Sequence, residues 1–170
     1  MGQVQKKIDK MEKIKKLKKI LENEKIDGYI IPKNDEFFGE YVPDYNDRLK
    51  YISNFSGSFG YALILKDKNY LFVDGRYTLQ AKNQSGKTFK IMTFPNKMPC
   101  NFLKNKKLSI GYDPKYFTKK TLKAFFVNNV TKFKPINHNL VDKIWARKIK
   151  KNNSKFYCLP KHSVGNNFNS

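Results

Sequence analysis

The sequence predicts an α/β domain, a mixed β-sheet flanked by helices. Three observations carry that expectation. Near the N-terminus, apolar residues recur at three- and four-residue spacing, the period of one helix face. Short runs rich in aliphatic and aromatic residues, such as GYIIP (28–32) and YALILK (61–66), recur down the chain and are bounded by turn residues. Strand and helix types alternate irregularly, which fits a covered sheet better than a sandwich or a bundle.

The elements follow in order. Residues 8–28, IDKMEKIKKLKKILENEKIDG, form the clearest helix: Met11, Ile14, Leu17, Ile20 and Leu21 make one apolar stripe on a charged cylinder. Asp9 is placed to cap its start, and Gly28 lies just past its end. The strand 28–32 follows and offers the stripe a surface to pack on. Residues 34–60, NDEFFGEYVPDYNDRLKYISNFSGSFG, read as an acidic, aromatic loop. Asp35, Glu36, Glu40, Asp44 and Asp47 concentrate there the negative charge that is scarce elsewhere. YALILK and NYLFVD then form a hairpin turning through Asp67-Lys68. A short helix runs from about Arg76 to Asn83. KTFKIMTF (87–94) and LSIGYD (108–113) are strands, Thr118 caps a helix over 119–128 with Leu122, Phe125 and Phe126 inward, and TKFKPI and NLVDKIW close the domain. The domain spans 1–150. The Asn-, Ser- and Lys-rich stretch 151–170 reads as a linker or tail leading towards a second domain. There is no internal repeat.

Composition narrows the function classes. The chain has 170 residues and 39% hydrophobic content, enough for one domain with a core. No apolar run approaches the roughly 18 residues that span a bilayer, and the basic N-terminus lacks a signal-peptide core, so no membrane partner and a cytoplasmic protein are expected. Cys100 and Cys158 have no metal-ligand spacing and read as free thiols. The net charge of +21 invites a polyanion or nucleic-acid partner. Only Arg48, Arg76 and Arg147 are arginines, however, and the lysines are scattered along the chain rather than gathered into a stripe. A lysine-coated surface, the product of an AT-rich genome, is the preferred reading, with no specific nucleic-acid partner. A stand-alone lysine-rich polyanion-binding module is the alternative.

Candidate chemistry is sparse. His138 and His162 have no partners at ligand spacing, and the five loop carboxylates match no calcium-loop pattern, so no metal site is assigned. FSGSFG lacks the register of a nucleophile elbow and reads as a glycine turn into the hairpin. The amides around Gly57 and Gly60 could hold an anion only weakly. In YLFVDGRYTLQA (70–81), Asp74 is placed to accept hydrogen bonds from a first helical turn, Gly75 to turn the backbone tightly, Arg76 to pair with a neighbouring acid, and Tyr77 to pack with Ala81 on the sheet. Capping and pairing outweigh catalysis there.

These strings together resemble the N-terminal domain of the Xaa-Pro aminopeptidases, of the creatinase/prolidase group. The family pattern of Tyr, Pro and Arg, an apolar stretch, a glycine-rich turn, a hairpin and Asp-Gly-Arg-Tyr is matched by Tyr41, Pro43, Arg48, Phe55, Gly57, Ser58, Gly60 and Asp74 to Tyr77, with Asn54 where the family usually has glycine. DGYIIPKND, IGYDP and NLVDKIWAR extend the match over about residues 8–165. The resemblance implies the creatinase/prolidase N-terminal fold with its ribonuclease H-like motif. It also implies a long, three-domain cytosolic enzyme whose catalytic domain, absent from this chain, holds two divalent metal ions, usually manganese. There a bridging hydroxide cleaves the bond before proline. The expected partners are the other domains of the same polypeptide, short proline-containing peptides and a second copy in a homodimer. Within that frame the 35–48 loop is the best cleft-facing or interface surface, with Arg48, Asp44 and Tyr41 as candidates. Arg48 either binds a substrate carboxylate or partner acid, or pairs internally with Asp44 or Asp47.

Overall fold

The computed structural model describes residues 2–128, 130–147, 159, 160 and 163, without the side chains of 2–8 and 87. Most of the 151–170 stretch, with Cys158 and His162, lies outside the described residues.

The N-terminal helix is α1, Gly2–Asn23. It begins upstream of the expected cap, so Asp9 lies within it and pairs one turn on with Lys13. Ile14, Leu17 and Leu21 are buried as the periodicity requires, whereas Met11 is 44% exposed. Lys10 takes the inward place instead. Its ammonium donates to the carbonyls of Gln84 (3.0 Å) and Ser85 (3.1 Å) at the end of another helix. Those last carbonyls have no partner within their own helix, so a lysine there satisfies two acceptors at once. The chain leaves α1 through Lys25 (φ 54°), and Gly28 opens the first strand rather than closing the helix.

The sheet has six strands in the order β4-β3-β2-β1-β5-β6. They are β1 (Gly28–Pro32), β2 (Gly60–Leu65), β3 (Asn69–Val73), β4 (Lys90–Thr93), β5 (Ser109–Tyr112) and β6 (Lys132–Pro135). β2 runs antiparallel to both neighbours, pairing Gly28 with Leu65 and Gly60 with Val73. The pairs β1/β5, β5/β6 and β3/β4 are parallel. Every strand except β2 therefore ends at the same edge.

Alternation sorts the strand side chains into two cores. On one face Tyr29, Ile31, Ala62 and Leu71 pack under α1, α2 (Arg48–Ser53) and α3 (Thr78–Ser85). On the other, Ile30, Leu63, Phe72 and Ile110 pack under α4 (Pro99–Leu103) and α5 (Lys119–Phe125). Both faces being covered, β1 and β2 are buried along their whole length, as their unbroken apolar runs require. The outer face is aromatic: Tyr61 meets Phe126 edge-on at 5.2 Å, and Phe117 meets Phe126 at 5.8 Å. Thr118 caps α5 by accepting from the Thr121 amide. Two helices were not legible beforehand, α2 inside the expected loop and α4 after Pro99; at six and five residues they are too short to display a period. Among the described residues no helix is long and apolar enough to cross a membrane.

Candidate functional site

The loops at the carboxyl edge of the sheet carry more than half of the chain's 14 acids. They include the five of the 35–47 segment, together with Asp74, Asp113 and Asp142. In open α/β sheets this edge is where ligands bind.

β1 hands the chain to the acidic loop at Lys33, whose amide donates to the Gly60 carbonyl (2.9 Å). Asp35 turns inward, 4% exposed, and accepts from the Phe37 amide (3.1 Å). That turn throws the aromatic side chains outward: Phe37 is 80% and Tyr41 84% exposed. Asp44 is also exposed and pairs with Lys50 at 2.7 Å. Asp47 is buried, pairs with Lys33, and caps α2 by accepting from the Lys50 amide at 2.9 Å. The cap lets a six-residue helix start at Arg48 with its amides satisfied. At its far end Asn54 stands at φ 63° and returns its amide to the Lys50 carbonyl (2.7 Å). Glycine takes this left-handed conformation without strain and asparagine tolerates it, so Asn54 can stand at that position.

Arg48 does not pair with Asp44 or Asp47. Its side chain is 4% exposed and grips Asp142 with two parallel bonds, Nε to Oδ1 at 2.9 Å and the second guanidinium nitrogen to Oδ2 at 2.8 Å. The third nitrogen reaches the Asn46 carbonyl at 3.2 Å, and the guanidinium lies over the Tyr116 ring at 4.7 Å. Burial would lower the pKa of Arg48; the hydrogen bonds to Asp142 outweigh it and raise it. Arg147 meets the same Oδ2 at 2.8 Å and also donates to the Tyr45 carbonyl and to Asn46 Oδ1. One aspartate therefore ties the loop, α2 and the 136–147 segment together. Behind it, Tyr51 stacks on Trp145 at 4.5 Å, and its hydroxyl donates to the Ile144 carbonyl. Arg147 carried an available signal, being one of only three arginines in a lysine-rich chain. Asp142 carried none, because its partner is 94 residues away.

Beside this clamp lies an open cleft of about 400 Å³, lined among others by Asp113, Tyr116, His138, Asn139 and Asp142. Burial pushes the Asp113 carboxyl up from its ordinary value and the Tyr116 hydroxyl up to about 12. Asp113 accepts from the Lys115 amide (3.1 Å) and Asn139 (3.3 Å), and so caps the turn that follows β5. His138 sits 3.2 Å from Glu24. Among the described residues no three His, Cys, Asp or Glu side chains converge into a ligand set, so no step through a metal is derived in this domain.

The Asp-Gly-Arg-Tyr turn is tied into the fold by its own contacts. Asp74 accepts from the amide (2.9 Å) and the Nε (2.9 Å) of Arg76, so the acid paired with Arg76 is its own cap. Tyr77 packs edge-on against Phe55 at 6.0 Å and bonds Ser58 at 2.8 Å. Gly57 and Gly60 are required for space. A Cβ on Gly57 would run into the Phe55 ring, and one on Gly60 would sit 2.9 Å from the Phe72 carbonyl oxygen. Gly75 differs from the expectation: its φ is not positive, and a Cβ there would meet nothing closer than Thr93 at 3.9 Å.

This architecture has known counterparts. The profile of the creatinase/prolidase N-terminal domain matches residues 13–144. A probable Xaa-Pro aminopeptidase P of Coprinopsis cinerea is 31% identical over 92% of this chain and 27% of its own length. Aminopeptidase P1 of Lotus japonicus is 36% identical over 71% of this chain and 20% of its own. Among solved structures, the X-prolyl aminopeptidase of Caenorhabditis elegans, described as a cytosolic enzyme with a di-nuclear active site, superposes with a TM-score of 0.72. It is 30% identical, and the match covers 82% of this chain and 26% of that one. The chain spans about a quarter of the length of these curated relatives.

Proposed function

The chain belongs to the creatinase/prolidase N-terminal domain family, and on that premise we propose that it acts as the noncatalytic N-terminal domain of a Xaa-Pro aminopeptidase. The whole protein would remove the N-terminal residue preceding proline from short peptides. Two divalent metal ions, manganese in our reading, would supply the hydrolytic chemistry from a catalytic domain elsewhere in the polypeptide. The enzyme would work in the cytoplasm as a homodimer. One observation carries this reading: the aminopeptidase relatives align with nearly all of this chain but with only about a quarter of themselves.

The domain's part would be to shape substrate access and assembly through its carboxyl edge. The exposed side chains of Tyr41 and Asp44 would face the substrate cleft or a neighbouring domain. Arg48, being buried, would act as a positioning residue that holds their loop in place through Asp142. The test is hydrolysis of a short peptide with proline second, in added manganese. The full-length protein should cleave it and the 170-residue chain should not; cleavage by the chain alone would overturn the assignment.

A further inference from the structure

At the opposite edge of the sheet acids are fewer and lysines prevail. In the linear sequence the lysines look scattered, but the strand order gathers them. Lys90 begins β4, Lys66 and Lys68 flank the β2–β3 turn, Lys25 precedes β1, Lys106 precedes β5 and Lys132 begins β6. All six are exposed. Five strand spacings of ~4.8 Å make this a row roughly 24 Å long. The acids near its middle are few. Asp27 is engaged by the Ser109 amide (2.9 Å) and Lys66 (3.1 Å), and Asp67 lies close enough to Lys18 to act on its charge. A solubilising coat would not need the carboxylates collected at the other edge.

The row is not flat. An open cleft of about 410 Å³ interrupts it, with Leu65, Tyr70 and Leu108 on its walls and Lys66, Lys68 and Lys106 around them, together with the two acids Asp27 and Asp67. We propose that this edge docks an acidic protein segment in extended conformation, whose carboxylates meet the lysine row and whose one apolar or aromatic side chain enters the cleft. About seven extended residues at ~3.3 Å each match the length of the row. A nucleic acid is the poorer fit, because the row contains no arginine to fork onto phosphate or guanine. An anionic membrane is poorer too, because among the described residues the exposed aromatic side chains lie on the acidic loop at the other edge. This inference does not depend on the peptidase reading.

The probe is a fluorescein-labelled peptide, Glu-Glu-Glu-Tyr-Glu-Glu-Glu, followed by anisotropy with the 170-residue chain at low and moderate salt. Triple reversal of the row, Lys66→Glu with Lys68→Glu and Lys106→Glu, should weaken binding at least tenfold. The control, Lys119→Glu with Lys120→Glu and Lys123→Glu on α5, changes net charge equally and should stay within about twofold, with thermal melts confirming that both variants fold. Replacing the tyrosine of the peptide by serine should cost severalfold. Equal losses in the two triple variants would overturn the proposal. So would tighter, row-dependent binding of a polyuridine oligomer or of phosphatidylserine vesicles.

Discussion

Each of the three arginines in this lysine-rich chain ends on an aspartate, and Arg48 and Arg147 end on the same one. A planar fork can bind a carboxylate through two bonds where an ammonium offers a single point of charge. Arg48 uses that fork on Asp142, Arg147 spreads its donors over Asp142, Tyr45 and Asn46, and Arg76 makes a single bond to Asp74. The glycines of the family signature divide on similar physical grounds. Gly60→Ala pushes a Cβ against a backbone oxygen that cannot rotate away, so it should destabilise by ~1–3 kcal/mol. Gly75→Ala makes only an ordinary contact with Thr93 at a φ that is not left-handed, and should be neutral or stabilise by up to ~1 kcal/mol. Urea denaturation of the two variants checks the contrast, and equal losses would refute it. The Asp74 cap was readable in advance because donor and acceptor lie two residues apart. The Arg48 partner was not, because only the folded chain brings residues 48 and 142 together.

At the scale of elements, the acidic loop is held as a unit by one clamp. Asp47 caps α2, Arg48 at its first turn grips Asp142, and Arg147 returns to Tyr45 and Asn46. Arg48→Ala removes the two-bond half of the clamp and leaves Asp142, itself partly exposed, to Arg147 alone. The loss of those charge-assisted bonds should cost ~1.5–3 kcal/mol. Arg48→Lys should recover only part of that, since it keeps the charge and loses the fork. Chemical denaturation measures both, and a full rescue by lysine would show that charge alone matters. The strands were legible because a buried run or an alternating one leaves a pattern over five or six residues. The extent of α1 was legible from its stripe, but its start was displaced, since Asp9 also satisfies a within-helix pair. The helices α2 and α4 were invisible to periodicity and depend on a cap and on Pro99 at the first turn.

For the whole molecule, the fold converts a scattered charge pattern into a polarised one. Most acids and the exposed aromatics of the described residues gather where the parallel strands end, many of them paired with cations, and a row of lysines with few acids stands where the strands begin. Composition revealed the excess charge but not its separation, which follows from strand order. We propose that the acidic, aromatic edge is the working surface of a noncatalytic domain in an Xaa-Pro aminopeptidase. The most direct test is the kcat/KM of the full-length protein on a short proline-second peptide, comparing wild type with the double variant Tyr41→Ala, Asp44→Ala. Both side chains are exposed, so the fold should survive their loss. The double variant should lose roughly tenfold in kcat/KM, about 1.4 kcal/mol of lost interaction, with thermal stability unchanged; kinetics and subunit assembly indistinguishable from wild type would contradict a role for this edge.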